Sequence, residues 1–304
     1  MATTQRDVRS RIGSIRNVQK ITRAMEMVAA ARLRRAEQRI EALRPYASAI
    51  RRMTREAAGA ASGLPRLPIL SEHEQLRTAG ILLIAGDRGL AGAFNSNIVR
   101  SGIQAGRDHG AEGRRVSYFA SGRRPASSLV FRGLEVAQSF TGFSERPSYA
   151  DARGIAERLM AAYVDNEVDR VEVFYNAYIS PLSQTVTRET LLPLQHATLL
   201  AEHADDAEHR DRGDSERHAL VEYEPGPEEI LARLVPDYVE VSIYRALLES
   251  TASEHGARMT ALRNASQNAG TLIDDLVLEM NRARQAEITQ EIMEVVAGAE
   301  GLTG

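Results

Sequence analysis

Apolar residues near the carboxyl end of the chain recur at helical spacing over a long distance. From Tyr238 to Ala299 the pattern continues without a proline, and the residues of its main face are separated by steps of four and three. That face comprises His255, Met259, Leu262, Ser266, Ala269, Ile273, Leu276, Met280 and Ala283. Because an average globular helix has only about 12 residues, a helix of this length needs a partner along its side.

The amino-terminal residues supply a second helix with a matching pattern. We expect it to end at Ala57 and to bend without breaking at Pro45, because the heptad continues across the proline. Its seam comprises Ile12, Ile15, Gln19, Thr22, Glu26, Ala29, Leu33, Ala36, Ile40, Leu43, Ala47, Ile50, Thr54 and Ala57. Two such helices at the ends of one chain most simply fold back on each other as an antiparallel coiled coil.

Part of this amino-terminal helix has a second apolar face. Where the seam turns polar, Val18, Ile21, Met25 and Val28 lie on a neighbouring face of the helix. Two interpretations are open. A second partner covers this face, or the apolar face drifts around a straight helix because 3.6 residues per turn do not divide seven.

The carboxyl-terminal helix extends beyond its predicted partner. Matching the two helices by length places Ile12 of the first near Ala283 of the second. Residues Gln285 to Ala299 then have no coiled-coil partner within the chain, although they keep apolar residues on one side. Because an unpaired helix of this length is marginally stable in water, we expect other chains to enclose it.

Between the two helices the pattern changes to short apolar runs separated by helical stretches. We predict strands at 80–85, 115–120, 134–140, 169–175 and 185–192, and helices at 94–106 and 149–164. This alternation favours an open, largely parallel sheet covered by helices. The sequence therefore predicts an α/β protein in which N- and C-terminal coiled-coil helices flank a Rossmann-like open-sheet middle domain.

The predicted domain boundaries follow glycine, proline and charge. The amino-terminal helix occupies 1–58, a linker 59–75, the Rossmann-like domain 76–224 and the carboxyl-terminal helix 225–304. Within the α/β domain, 202–218 is almost entirely polar and 220–223 is predicted to form an edge strand. Three histidines among aspartates would allow a metal site in 202–218. A solvated loop is favoured, because no ligands stand at regular spacing.

Composition excludes several classes of function. The chain has no cysteine, so disulfides, thiolate metal sites and thiol switches are excluded. The first residues lack the apolar core of a secretory signal, and the most apolar run, 80–86, is far shorter than the ~20 residues that span a bilayer. A net charge of −3 gives no general reason to expect nucleic acid. Residues 6–55 are rich in arginine, which favours a solvated helix face or an acidic protein partner over DNA or a membrane surface.

A glycine-rich turn, GDRGLAG at 86–92, follows a predicted strand and precedes a predicted helix. Dinucleotide-binding proteins hold pyrophosphate at this position. The turn matches neither G-x-G-x-x-G nor the G-K-[ST] of a P-loop, so a structural turn that needs small residues is favoured over a nucleotide site. No Ser/His/Asp group or carboxylate pair forms a recognisable catalytic pattern. The sequence predicts neither an active site nor a cofactor.

Several motifs resemble the ATP synthase gamma subunit family. They are ITRAMEMVA at 21–29, DRGLAG at 87–92, YRALLE at 244–249, SEHGARM at 253–259, LIDDL at 272–276 and NRARQAEITQEI at 281–292. They cover both ends and most of the middle in the family's order, which makes the resemblance specific. Ala91 stands where the family often has cysteine, and the cysteine insert of chloroplast members is absent, so thiol regulation is not implied.

The resemblance implies a non-catalytic subunit, the central rotary shaft of the F1 sector of an F-type ATP synthase. Such a shaft couples proton flow through the membrane rotor to conformational cycling of the beta catalytic sites. Its partners would be the ring of alpha and beta subunits, the epsilon subunit and the membrane rotor c-ring. With Lys20 the only lysine and no transit peptide, we expect a bacterial protein, peripheral on the cytoplasmic face of the cell membrane.

Two other functions stay open. The first alternative is a free-standing coiled-coil adaptor protein with an α/β head domain, and the second is a nucleotide-dependent α/β enzyme. The long helical seams also fit the adaptor. The glycine-rich turn is the only feature that favours the enzyme.

The resemblance also assigns residues to partner contacts. The positions that meet the beta-subunit loops or affect coupling are Gln285, Thr289, Glu291, Arg258 and Met25. The apolar pattern adds three residues that would face an apolar bearing in the ring, Ile288, Ile292 and Val295. The residues assigned to the structural turn are Asp87, Arg88, Gly89 and Gly92.

Overall fold

The computed structural model describes residues 5–60, 67–194 and 226–303. In chain order the elements are α1 (Gln5–Ala60), a short 3₁₀ helix (Pro68–Leu70), β1 (Thr78–Ile84), α2 (Phe94–Ala111), β2 (Arg115–Ser121), α3 (Arg123–Phe131), β3 (Val136–Phe140), α4 (Tyr149–Val164), β4 (Arg170–Ser180), β5 (Ser183–Leu192) and α5 (Pro227–Thr303). Long terminal helices therefore flank an α/β region, which confirms the predicted fold class.

The chain divides into two compact units. The first contains the chain up to Ala30 and from Arg258 onward, and the second contains Ala31–Ala257. Both boundaries lie inside the long helices α1 and α5. Within the described residues, no helix has both the length and the hydropathy needed to cross a bilayer.

In the first unit, α1 and α5 pack against each other in antiparallel directions. Toward one end, the Arg263 Nε lies 2.9 Å from the Glu26 carboxylate. The Gln19 side-chain amide donates to the carbonyl of Ser266 over 3.3 Å. Toward the other end, Val8, Ile12, Ile273 and Leu276 form a small buried cluster. The antiparallel pairing predicted from the two seams is confirmed for this unit.

The predicted register of this pair is wrong. Ile12 clusters with Ile273 and Leu276, whereas matching by helix length placed it near Ala283. Leu276 precedes Ala283 by one heptad, and a heptad pattern satisfies apolar spacing equally well after such a shift. Side-chain fit, which helix length does not report, selects the observed register.

The polar part of the α1 seam faces α5. Gln19 and Glu26 make the contacts just described, while Val18, Ile21 and Val28 are exposed. The apolar face therefore does not drift into the helix contact. The chain keeps a polar seam and a second, exposed apolar face on the same stretch of α1.

The second unit is built on a five-stranded sheet with strand order β3-β2-β1-β4-β5. Strands β1, β2, β3 and β4 are parallel, and β5 is antiparallel to β4. Every residue of the central strand β1 is buried. The largely parallel, open sheet predicted from the alternation is confirmed.

Helices cover both faces of this sheet, because alternate β1 side chains point to opposite sides. Ile81 and Leu83 pack with residues of α2 and α3. Leu82 and Ile84 pack with α4 and with the parts of α1 and α5 that belong to this unit. The long helices thus contribute directly to the core of the sheet region.

Several predicted boundaries need correction. The chain forms α3, a nine-residue helix that the sequence did not predict, and β4 continues to Ser180. Helix α5 begins at Pro227 and runs through Pro236. Helix α1 runs through Pro45 as predicted. The predicted loop 202–218 and the strand 220–223 lie outside the described residues.

Candidate functional site

The carboxyl-terminal part of α5 is a helix without cover from the rest of the described chain. Every residue from Arg284 to Gly298 is exposed. The apolar side chains are included, with Ile288 47%, Ile292 56% and Val295 71% exposed. Apolar side chains at helical spacing are buried in most soluble helices, so this surface is suited to contact with another molecule.

Among the described residues, the side-chain hydrogen bonds in this part of α5 stay within the helix. The Thr289 hydroxyl donates to the carbonyl of Gln285 over 2.8 Å. The Gln290 amide donates to the Glu294 carboxylate over 3.0 Å. Glu291 is exposed. The structure thus brings Gln285, Thr289 and Glu291 together on one exposed stretch of helix.

Met25 and Arg258 differ from this exposed group. Met25 is partly buried and follows the exposed Ile21 on α1. Arg258 is only 8% exposed, at the start of the α5 segment that belongs to the first unit. A guanidinium buried to this degree is paired, and Arg258 does interact with other residues of the chain. Direct contact between its charged group and an outside partner is therefore restricted.

The glycine-rich turn is organised by the side chain of Asp87. The carboxylate of Asp87 accepts hydrogen bonds from the backbone N–H groups of Arg123, Gly142 and Ser144, over 2.9, 3.0 and 3.4 Å. The Asp87 backbone N–H donates to the Ser144 hydroxyl over 2.9 Å. One carboxylate thus connects its own loop after β1 to the segments that follow β2 and β3, at the carboxyl edge of the sheet.

The turn combines left-handed backbone angles with close packing. Leu90 and Gly92 have φ angles of +61° and +55°, in the left-handed region. A side chain on Gly89 would meet the guanidinium of Arg124, 3.0 Å from a Cβ at that position. Ala91 is 2% exposed, so only a small residue fits at this point. The turn is tightly packed on both sides of Leu90.

Glu145 connects the turn to α1. Its carboxylate lies 3.2 Å from the Arg88 guanidinium and also forms an ion pair with Arg32 of α1. Burial raises the pKa of Glu145, but Arg32 and Arg88 outweigh that effect and hold the pKa below its usual value. The carboxylate is therefore charged at neutral pH and bridges two basic side chains from distant parts of the sequence.

Comparison with known proteins identifies the family of the chain. A family model described as ATP synthase matches residues 4–302. The ATP synthase gamma chain of Moorella thermoacetica is 41% identical over 297 residues, which cover 98% of each chain. That of Rubrobacter xylanophilus is 39% identical over the same length and coverage. The chain belongs to the ATP synthase gamma chain family. It is therefore a subunit of ATP synthase, in the family of that enzyme's rotary shaft.

Solved structures share the fold. The central stalk and c-ring structure of Tetrahymena thermophila mitochondrial ATP synthase contains a chain with a TM-score of 0.58 and 25% identity, covering 81% of this chain and 99% of that one. A chain in the rotor of Euglena gracilis mitochondrial ATP synthase has a TM-score of 0.61 at 19% identity, with coverages of 93% and 98%. Two long helices around an open sheet are thus common to both.

Sequence reasoning missed the partners of the turn. It singled out Asp87 and Arg88, but not Ser144 and Glu145, which contact them from a loop more than fifty residues away in sequence. Arg32, on α1, is also more than fifty residues from the turn, on its amino-terminal side. No local spacing links these positions, because the sheet topology alone brings them together.

Proposed function

We propose that the chain is the non-catalytic central shaft of a bacterial F1 sector. Rotation of the shaft couples proton flow through the membrane rotor to the conformational cycle of the beta subunits. Each beta conformation would be favoured when a particular face of the shaft lies against it, so the coupling is a population shift imposed by an asymmetric rotor.

The observation that carries this proposal is the exposed stretch of α5 from Arg284 to Gly298. A helix of this length, with apolar side chains on the surface, is marginal in water by itself. Enclosure by a ring of other subunits would bury Ile288, Ile292 and Val295. The same ring explains why these residues are apolar without any partner in the described part of the chain.

The proposed partner contacts are of two kinds, apolar and hydrogen-bonding. Ile288, Ile292 and Val295 would form the apolar surface that turns inside the ring of alpha and beta subunits. Gln285, Thr289 and Glu291 would meet beta-subunit loops through hydrogen bonds that can break and form again as the shaft turns. These assignments follow the family's positions and the exposure of each side chain.

Met25 and Arg258 would act from the coiled-coil unit. Met25 lies beside the exposed apolar face of α1, so we assign it to the contact with a beta subunit. Arg258 is buried, so we assign it the indirect role of holding the coiled-coil surface in place.

The turn residues Asp87, Arg88, Gly89 and Gly92 would be structural. The epsilon subunit and the c-ring would bind the sheet region, on the cytoplasmic face of the cell membrane.

Purification from native membranes tests the proposal. A tag on this chain should recover alpha and beta subunits in a complex that hydrolyses ATP, whereas the chain alone should not hydrolyse it. A free-standing coiled-coil adaptor would be recovered without those subunits. That result would refute the shaft and favour the alternative.

A further inference from the structure

Helix α5 presents an unusual group of polar residues to the sheet. Ser250, Thr251, Ser253 and Glu254 are each at most 4% exposed. Hydroxyl and carboxylate groups are costly to bury unless they are hydrogen-bonded. The burial of four such groups within five residues of one helix therefore needs a specific explanation.

Each hydroxyl of this group bonds a different part of the sheet region. Ser250 donates to the carbonyl of Ile84 at the end of β1, over 3.2 Å. The Thr251 hydroxyl lies 2.8 Å from the carbonyl of Ser144 and also 2.8 Å from that of Leu247 one turn earlier in α5, so both share its proton. Ser253 donates to the carbonyl of Asn176 in β4 over 3.0 Å. The acceptors thus belong to two strands and to the loop that Asp87 holds.

Glu254 fills the space above the glycine-rich turn. Its carboxylate oxygen lies 2.5 Å from the position that a Cβ on Gly86 would occupy. In dinucleotide-binding folds this part of the turn approaches a phosphate, which is also an anion. Here the chain's own helix supplies the negative group, and the crevice at the carboxyl edge of the sheet becomes a seat for α5.

The directions of these side chains restrict rotation of the helix. At 3.6 residues per turn, residues 253, 250, 254 and 251 follow one another around the helix and together span about 160°. Apolar packing is non-directional, so it resists rolling of a helix weakly. Directed hydrogen bonds over nearly half the circumference fix the helix at one rotational angle.

We propose that the contact of these four residues with the sheet region transmits rotation from the sheet region to helix α5. We call this contact the joint. The inference rests on the proposed function as a rotary shaft. Ser250, Thr251, Ser253 and Glu254 are positioning residues, since they touch no catalytic site and act by holding α5 in rotational register. The Glu145 bridge between Arg32 of α1 and Arg88 of the turn braces the other long helix against the same loop.

The test compares variants in the assembled ATP synthase. The main variant combines Ser250→Ala, Thr251→Val and Ser253→Ala, which remove three hydroxyls with little change in volume. Thr251→Val alone is the milder variant. Thr271→Val is the matched control, because Thr271 is exposed on the same helix and bonds only the carbonyl four residues before it.

Two measurements distinguish a weakened joint from a destabilised protein. The first is the ratio of ATP-driven proton pumping to ATP hydrolysis in membrane vesicles, which does not depend on how much enzyme assembles. The second is the angular fluctuation of a probe on a single cysteine at exposed Arg100, with the ring of alpha and beta subunits immobilised. This chain has no cysteine of its own, so the label occupies a single position on it.

We expect the triple variant to lose pumping more than hydrolysis and to show wider angular fluctuation, with a smaller effect for Thr251→Val and none for Thr271→Val. If the triple variant fails to assemble, Thr251→Val decides the question. Assembled variants with an unchanged ratio and unchanged fluctuation would overturn the joint and leave the shaft proposal intact. Failure of the wild-type chain to purify with alpha and beta subunits would instead overturn the shaft, and the joint with it.

Discussion

Gly122 illustrates how one backbone position limits the choice of residue. Its φ is +108°, and a Cβ there would lie 2.3 Å from the carbonyl oxygen of Ala85. Gly122→Ala should therefore destabilise the protein by about 3 kcal/mol, since the strain is added to a backbone clash. Urea unfolding of the purified chain measures the difference.

Gly154 provides the matched control. It is exposed in the middle of α4, and a Cβ there would meet nothing within 4 Å. Gly154→Ala should stabilise the protein by about 0.8 kcal/mol, because alanine is the better helix former. Similar effects of the two substitutions would contradict the geometry at Gly122.

Glu172 is a buried carboxylate whose charge depends on its partners. Its side chain is 2% exposed and accepts two bonds from Arg188, of 2.8 and 3.1 Å. The His109 Nε2 lies 3.2 Å from the same carboxylate. Burial raises the pKa of Glu172, but the bonds from Arg188 and His109 outweigh it, so the folded-state pKa is lowered.

The lowered pKa predicts a pH dependence of stability. The contribution of Glu172 is fully present above the unfolded-state pKa of about 4.3 and is lost as the pH falls through the folded-state pKa. Glu172→Gln should cost about 3 kcal/mol at pH 7, with a smaller difference from wild type below pH ~4. Urea unfolding across this pH range measures both. Glu157→Gln, at an exposed pair within α4, should change stability by less than ~0.5 kcal/mol at every pH.

At the scale of single elements, predictability followed the strength of local signals. The bounds of α4 were predicted correctly, since Ser148 and Asp151 form a capping box at the start of a clear apolar period. Helix α3 has nine residues and contains Pro125, so its pattern is too short to recognise. The coiled-coil register failed for a different reason, because heptad spacing repeats and only packing distinguishes one offset from the next.

The apolar side of the exposed α5 stretch should be necessary for assembly. Ile292→Glu places a charge on the surface that we assign to the bearing, and burial of that charge would be unfavourable. We expect less gamma chain in purified complexes. Ala286→Glu is the control, since residue 286 faces away from residue 292 and is also exposed. Equal loss of assembly in both variants would argue against a one-sided bearing.

The polar residues of the exposed α5 stretch should affect turnover more than assembly. Gln285→Leu and Glu291→Ala remove groups that we assign to transient contacts with beta subunits. We expect complexes of normal composition with lower ATP synthesis and lower hydrolysis. Rates per assembled complex provide the measurement, and wild-type rates in both variants would refute the assignment.

At the scale of the whole molecule, sequence and structure contributed different parts of the site. The exposed end of α5 follows from apolar spacing and the absence of a pairing segment, so it was predictable. The polar seat of α5 was not, because Ser250 and Ser253 find their acceptors through the sheet topology. Isolated serines on a helix normally indicate nothing more than tolerance of a polar side chain.

Removal of the exposed end separates folding from function. A chain ending at Arg284 loses the exposed residues 285–298, in which Thr289 and Gln290 bond to Gln285 and Glu294 of the same stretch of helix. Its urea unfolding midpoint should therefore equal that of the full chain. If the alpha and beta subunits contact the exposed end, the truncated shaft should give less proton pumping in assembled ATP synthase. A lowered midpoint would show that the end stabilises the chain itself, and unchanged pumping would show that the contact lies elsewhere on the shaft.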